Sequence, residues 1–218
     1  MTYPQAPWTL QGYSLQTLNL IDITAARSLV PSELEIISVW PGKTLGGVYV
    51  ASYGSGSTLE YNELIVVSAI TRYANRFGIW VSHIYVDNPD SVAGGREIWG
   101  LPKELAQFTW QLGERPYVRV HQGDQLLCSL SYDWQLPEWR QPLTGPSFST
   151  LGSEILFFEG RGEVSLRLVG GNLQVPAQSP FFSLGFSQTW LSFYCNQLRL
   201  VIDLPKVVGE RASAFSYS

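Results

Sequence analysis

Lysine is scarce in this chain, and so is charge of either sign. Three lysines occur among 218 residues, charged residues make up 15% of the chain, and the formal net charge is −4 at pH 7. Proteins that bind nucleic acids carry clusters of Lys and Arg that neutralise phosphates. The sequence contains no such basic cluster, and this absence argues against a nucleic-acid partner.

Long hydrophobic runs are absent too. No window approaches the roughly 18 to 20 consecutive apolar residues that a membrane-spanning helix requires, and no Lys or Arg precedes Arg27. The start of the chain therefore lacks the features of a secretory signal or of a basic transit peptide. We expect a cytoplasmic protein with no membrane partner.

Residues that bind metals or act as nucleophiles are few and dispersed. Cys128 and Cys195 lack the spacing of a metal site or a redox pair, so we predict that both are small buried hydrophobes. His83 and His121 stand on separate predicted strands without a ligand at metal-binding spacing. The Gly-x-Ser-x-Gly elbow of serine hydrolases is also missing. The sequence predicts no metal site and no cofactor.

Aromatic residues, in contrast, are abundant. They make up 13% of the chain and include eight tryptophans. With so little charge, this composition indicates a large interior surface, an apolar cavity or a subunit interface. The tryptophans are scattered along predicted strands, which favours core and interface packing over a carbohydrate-binding platform. We expect a homo-oligomer.

Alternating hydrophobicity dominates the chain and predicts mainly β structure. The clearest predicted helix covers residues 23 to 30, capped by Asp22 and ended by Pro31. Turns are predicted at Gln122-Gly123-Asp124 and Gly170-Gly171-Asn172. The alternating sets are Val48 and Val50; Ile65 and Val67; Trp80, Ser82, Ile84 and Val86; and Leu126, Cys128, Leu130, Tyr132 and Trp134. We predict one domain over residues 1 to 218, a mainly β (α+β) fold built as an antiparallel barrel or sandwich, since closure removes exposed strand edges.

One lysine lies in an unusual setting. Lys103 ends the stretch Gly95-Arg96-Glu97-Ile98-Trp99-Gly100-Leu101-Pro102-Lys103 and is followed by Glu104, Leu105 and Ala106. Apolar neighbours favour the neutral form of an amine, and only a neutral amine attacks a carbonyl. The setting is therefore typical of a lysine that performs chemistry, although a partly exposed lysine in a turn is the alternative.

This stretch resembles the signature of the acetoacetate decarboxylase family. In that family a Gly-Arg-Glu segment leads through a hydrophobic-Pro-Lys step to the lysine that forms a Schiff base with a ketone. Upstream, Tyr61-Asn62-Glu63 is similar to the family's Tyr-x-Glu element, which carries an acid/base carboxylate. A looser similarity covers Leu29-Val30-Pro31 with Leu34-Glu35-Ile36. Acetoacetate decarboxylase is also a standard example of a lysine activated by its surroundings.

The resemblance implies a fold and a set of site residues. The fold is an antiparallel barrel-like cone, or closed β-barrel, with a few peripheral helices. Lys103 would be the nucleophile and Glu63 the proton shuttle, because Glu63 lies in phase with Tyr61, Ile65 and Val67 on a largely apolar strand face. The alternative role for Glu63 is a structural partner of Arg96 or of a backbone amide.

The neighbours of Lys103 in the motif complete the implied site. Tyr61 and Trp99 would belong to the substrate pocket, and Arg96 and Glu97 would brace the loop through ion pairs.

Two departures from the family stand out. Glu104 replaces the second lysine that follows the nucleophile in the decarboxylases, and adjacent residues point to different faces, so Glu104 is expected to point away from the amine. The family's early arginine near the pocket has no counterpart before Arg27, which lies in the predicted helix. Arg72 and Arg76 are the possible substitutes, but arginines near turns are more often surface charges.

Two functions follow from these residues. The first is a lyase that acts through a lysine Schiff base on a small keto acid or another activated carbonyl compound, by decarboxylation or by aldol or dehydration chemistry. The second is a non-catalytic β-barrel that binds a small apolar ligand in the same pocket.

Overall fold

The computed structural model describes residues 3–114, 116–186 and 189–211. It contains long strands, two α-helices and one short 3-10 helix. The elements in chain order are β1 (Trp8–Asp22), α1 (Ile23–Arg27), β2 (Glu35–Ile36), β3 (Lys43–Tyr53), β4 (Tyr61–Tyr73), β5 (Arg76–Val86), α2 (Pro89–Trp99), β6 (Lys103–Leu105), β7 (Gln107–Gln111), β8 (Tyr117–Gln122), β9 (Gln125–Gln135), β10 (Trp139–Leu151), β11 (Glu154–Gln174), η1 (Phe182–Leu184), β12 (Thr189–Ile202) and β13 (Lys206–Glu210).

The strands pair in a circuit. Successive neighbours are β10, β5, β4, β3, β1, β12 and β11, and β11 pairs with β10 again. The β10–β5 contact is parallel and short, at Ser147 and Phe148, whereas the other pairings of the circuit are antiparallel. Pairing in this manner curls the sheet around an interior, so the predicted mainly β class and the barrel-like cone are confirmed.

Strands β7, β8 and β9 form a meander beside this circuit. β9 pairs with the C-terminal part of β11, and the turn at Gln122-Gly123-Asp124 joins β8 to β9 as predicted. Gly123 has φ +58° in that turn, a conformation that glycine adopts without strain.

The prediction for the first helix was too long. α1 ends at Arg27 and not at residue 30. The Arg27 guanidinium donates hydrogen bonds to the backbone carbonyls of Val30 and Leu34, at 2.6 and 2.9 Å. The chain therefore turns around this side chain, and Pro31 further disfavours helical backbone at the residue before it.

The longest helix of the described residues, α2, was not predicted. Asn88 caps it by accepting from the backbone N–H of Asp90 at 2.9 Å, Pro89 follows at the first helical position, and Gly100 ends it with φ +60°. The Asn-Pro-Asp sequence is a start signal of helices. Two consecutive glycines, Gly94 and Gly95, obscured the signal because glycine destabilises helix interiors.

Two further predictions were wrong. Gly170-Gly171-Asn172 is not a turn but part of the 21-residue strand β11, at a register shift between Val169 and Gly171 in its pairing with β9. The set Trp80, Ser82, Ile84 and Val86 does not share one face, because bulges interrupt the pairing of β4 with β5 between Val66 and Ala69. Trp80 packs in the main core, whereas Ile84 lines the cavity described below.

Leu64 and Val66 of β4 do not line the cavity and pack in the main hydrophobic cluster with residues of β5, β8 and β9. Cys128 and Cys195 are buried free cysteines, as predicted, and burial raises the pKa of these thiols to about 12 and about 11. Among the described residues, no helix is long and apolar enough to cross a membrane.

Candidate active site

Lys103 begins the short strand β6, and Gly100, Leu101 and Pro102 separate it from the end of α2. Ile84 of β5 is its partner in parallel pairing. The Arg96 side chain fixes this position, because its Nε donates to the Lys103 carbonyl at 2.8 Å. Gly95 makes room for the lysine, since a Cβ at that position would lie 2.4 Å from Lys103 Cδ. The helix therefore positions the lysine through the Arg96 side chain and through the missing side chain of Gly95.

The amine of Lys103 is shut away from solvent. The residue is 3% exposed, and its Nζ donates to Glu63 Oε1 at 2.8 Å and to Ser91 Oγ at 3.0 Å. The Tyr61 ring centroid lies 4.9 Å from Nζ and the Trp8 ring centroid 5.8 Å. A carboxylate, a hydroxyl and two aromatic faces thus surround the nitrogen.

Glu63 is the centre of a hydrogen-bonded row on β3 and β4. It is 4% exposed, and its Oε2 accepts from the Tyr53 hydroxyl at 3.1 Å, which in turn lies 3.1 Å from the Tyr49 hydroxyl. Burial raises the pKa of Tyr53 well above its usual value, and the nearby Tyr49 and Glu63 raise it further. The phenol therefore stays protonated and remains a donor to the carboxylate.

A cavity of about 360 Å³ opens beside this cluster, inside the strand circuit. Every strand of the circuit contributes to its wall, and most contributed side chains are aliphatic or aromatic. Ile65 and Val67 line it together with Tyr61 and Glu63, so the predicted common face of these β4 residues is confirmed. Among the described lining residues, Lys103 and Glu63 are the ones that can carry charge at neutral pH.

The structure brings together some of the predicted site residues and separates others. Tyr61, Glu63, Trp99 and Lys103 line the cavity, whereas Arg96 and Glu97 do not. In place of the predicted ion pairs, Arg96 donates to a backbone carbonyl and Glu97 accepts from the Tyr3 hydroxyl at 2.5 Å. Both contacts are to uncharged groups and not to the charged partners that the sequence predicted. Arg96 is also not the partner of Glu63, which contacts Lys103.

The candidate substitutes for the early arginine lie elsewhere. Arg72 pairs with Glu35 on the surface, and Arg76 stacks over the Phe157 ring at 5.2 Å. Neither lines the cavity. Glu104 is exposed and accepts from Gln122 Nε2 at 2.8 Å, so it points away from the amine as expected.

Three contacts of the lysine and its partner were not predicted. Ser91 lies on the first turn of α2, Tyr53 ends β3, and Trp8 begins β1. Tyr49 and Tyr53 stand four residues apart on one strand, which places them on the same face. The spacing of the two tyrosines indicates their shared face from the sequence alone. The position of Ser91, in contrast, can be predicted only if α2 is first predicted as a helix. Across residues 3–114, 116–186 and 189–211, no cluster of three or more potential metal ligands occurs.

Comparison with known proteins identifies the family that the Lys103 motif resembles. The family model "Acetoacetate decarboxylase (ADC)" matches residues 5–163. Among curated relatives, Protein NEOXANTHIN-DEFICIENT 1 of Solanum lycopersicum is 28% identical over 114 residues, covering 52% of this chain and 38% of that protein. Acetoacetate decarboxylase 3 of Mesorhizobium japonicum is 35% identical over 81 residues, covering 37% and 27%. The chain thus spans well under half the length of these curated relatives.

Solved structures with this fold include enzymes. The acetoacetate decarboxylase of Legionella pneumophila superposes with a TM-score of 0.78 at 18% identity, covering 96% of this chain and 90% of that one. The enduracididine biosynthesis enzyme MppR, complexed with pyruvate, superposes with a TM-score of 0.71 at 15% identity, covering 97% and 93%. These likenesses show the fold, and the family model covers most of the sequence. The chain belongs to the acetoacetate decarboxylase family.

Proposed function

We propose that this protein is a lyase-type enzyme that forms a Schiff base between Lys103 and an activated carbonyl compound, with Glu63 as the proton shuttle. The observation that carries the proposal is the buried amine on the cavity wall, 2.8 Å from a buried carboxylate. A lysine with only a structural role would not need a cavity beside its nitrogen. Family membership and the pyruvate complex of MppR support the same chemistry.

The pair can supply a neutral amine by itself. Glu63 lies within hydrogen-bond distance of Nζ, so transfer of one proton converts an ammonium and a carboxylate into an amine and a carboxylic acid. Burial penalises two charges far more than it penalises the neutral pair, whereas mutual attraction favours the charged pair. Glu63 therefore has two effects: it attracts the ammonium, and it accepts the proton that the nucleophile must lose.

The reaction follows from this starting state. The amine adds to the carbonyl carbon, and a C–N bond forms as the carbonyl π bond breaks. Glu63 then protonates the carbinolamine hydroxyl, which leaves as water and yields an iminium ion and a carboxylate. The iminium withdraws electrons from the neighbouring carbon, where a bond to carbon or hydrogen breaks. Tyr53 holds the Glu63 carboxylate in place through its other oxygen.

Borohydride trapping tests the proposal. The protein is reduced in the presence of acetoacetate, ethyl acetoacetate or pyruvate, and its peptides are identified by mass spectrometry. We expect an adduct at Lys103 and none at Lys43 or Lys206, which are the other lysines of the chain and serve as internal controls. Lys103→Ala should abolish the adduct, and Lys206→Ala should leave it unchanged. Equal labelling of all three lysines would contradict a dedicated nucleophile.

A second function has support from the cavity itself. The wall is largely apolar and lacks an arginine among its described residues, which suits a non-catalytic barrel that binds a small apolar ligand. This alternative predicts ligand binding that Lys103→Ala does not change, with no adduct from any carbonyl compound. The homo-oligomer and the cytoplasmic location stay predictions.

A further inference from the structure

The charges in the cavity constrain what can enter it. Lys103 and Glu63 are the charged groups among its described lining residues, and they pair with each other at 2.8 Å. The pair has no net charge, whether it is an ammonium with a carboxylate or an amine with a carboxylic acid. The remaining polar wall groups include Tyr49, Tyr53 and Gln16, which are uncharged. An anionic substrate would therefore find hydrogen-bond donors but no unpaired cation.

Imine chemistry does not change this balance. The neutral amine and acid become an iminium and a carboxylate when water leaves, so the net charge of the pair stays zero at each step. An uncharged substrate keeps the cavity neutral throughout. A substrate carboxylate would add one negative charge near Glu63, and burying a charge without a partner is strongly unfavourable.

The rest of the cavity wall favours hydrocarbon. Ile79, Val81 and Ile84 of β5 line it, as do Leu143 of β10 and Leu200 of β12. A volume of about 360 Å³ lies at the small end of the usual range for small-molecule pockets. Burial of an aliphatic chain against such a wall is favourable in proportion to the apolar area removed from water.

We propose that the substrate is an uncharged aldehyde or ketone with a short hydrocarbon chain, and not a keto acid. This inference rests on the proposed function for its covalent step, but its charge preference concerns binding alone. The carbonyl lies at the Lys103 amine and the chain lies along the aliphatic wall. The reaction is then a proton transfer at the carbon next to the iminium: the Glu63 carboxylate takes the proton while the C–H electron pair forms the enamine, and the same group returns the proton. No carboxylate is present to leave as carbon dioxide.

A matched ligand series tests the charge preference. Levulinate, methyl levulinate and butyl levulinate share one ketone and differ in charge and chain length. Their affinities can be followed by the fluorescence of the protein, since Trp8 and Trp99 line the cavity. We expect methyl levulinate to bind at least about tenfold more tightly than levulinate, a difference of about 1.4 kcal/mol, and butyl levulinate to bind more tightly still. Equal or tighter binding of levulinate, or no binding of either ester, would overturn the inference.

A variant can shift the preference in a predictable direction. Gln16→Arg places a cation on the cavity wall, and we expect levulinate to bind several-fold more tightly to it than to the unmodified protein. Gln107→Arg adds the same charge on the exposed surface of β7. It should leave the ratio of the levulinate and methyl levulinate affinities unchanged. If both variants shift the ratio equally, overall charge and not the cavity sets the preference, and the inference fails.

Borohydride trapping of the same ligands separates this inference from the proposed function. Tight binding of the esters with an adduct at Lys103 supports both. Tight binding of the esters without any adduct supports the ligand class and refutes the Schiff-base chemistry. An adduct that forms more readily with levulinate than with its esters supports the chemistry and refutes the ligand class.

Discussion

Two lysine–carboxylate pairs in this molecule have the same geometry and opposite surroundings. Lys103 and Glu63 approach to 2.8 Å with side chains 4% and 5% exposed, whereas Lys43 and Asp22 approach to 2.8 Å with side chains 35% and 60% exposed. Distance therefore does not distinguish them. Water screens the surface pair, but the buried pair has lost its solvation and depends on its partner, on Ser91 and on the surrounding aromatic faces. Loss of solvation, and not distance, separates the two pairs.

The largest expected difference between the two pairs is in stability. Lys103→Met leaves the Glu63 carboxyl buried without its partner, and we expect a loss of about 3 to 5 kcal/mol in the free energy of unfolding. Lys43→Met should change it by about 0 to 1 kcal/mol. Urea unfolding followed by tryptophan fluorescence measures both values.

A double variant checks the cause of that difference. Replacing both partners, as in Lys103→Met with Glu63→Gln, removes the unpaired buried charge and should recover a large part of the stability. If Lys103→Met and Lys43→Met destabilise the protein equally, burial does not separate the two pairs.

Substitution of a glycine beside each lysine is expected to have a smaller effect on stability. Gly95 packs on Lys103, and Gly42 precedes Lys43. A Cβ at Gly95 would lie 2.4 Å from Lys103 Cδ, so Gly95→Ala must displace the lysine. We expect a cost of about 1 to 3 kcal/mol from overpacking, offset by up to about 1 kcal/mol from better helix propensity. Borohydride trapping at Lys103 should slow, because the amine moves relative to Glu63.

Gly42→Ala is the matched control beside the surface pair. Gly42 has φ +72° and nothing within 4 Å of its would-be Cβ, so the substitution strains the backbone without displacing Lys43. Trapping at Lys103 should be unchanged in this variant. Slower trapping in both variants would point to a general loss of stability as the cause.

The smallest effect is expected at Glu104, the residue after Lys103. Glu104 is exposed and contacts Gln122, not the amine. Glu104→Gln should change the free energy of unfolding by less than about 0.5 kcal/mol and leave the rate of trapping at Lys103 unchanged. A clear increase in that rate would show that the Glu104 charge reaches the Lys103 amine.

The strand that carries Glu63 shows how far local pattern reaches. Tyr61, Glu63, Ile65 and Val67 share a face because β4 is regular over that stretch, and alternation alone predicts this. The same rule fails for Trp80 and Ile84 on β5, since an extra residue at a bulge exchanges the two faces. A bulge depends on how two strands pair, and alternation within one strand does not encode it.

The sequence by itself determined the mainly β class and the apolar, motif-bearing stretch around Lys103, because alternation and nearest neighbours are local properties. The family resemblance put Glu63 and Lys103 in one site, but only the tertiary structure decided that the amine contacts this carboxylate, 40 residues earlier in the chain. It likewise decided the contact with Ser91, on a helix that the sequence did not predict. It also decided that the surrounding cavity contains no further cation among the described residues. The physical reason is that strand register and closure of the circuit set these distances, and both arise from pairing between segments far apart in sequence.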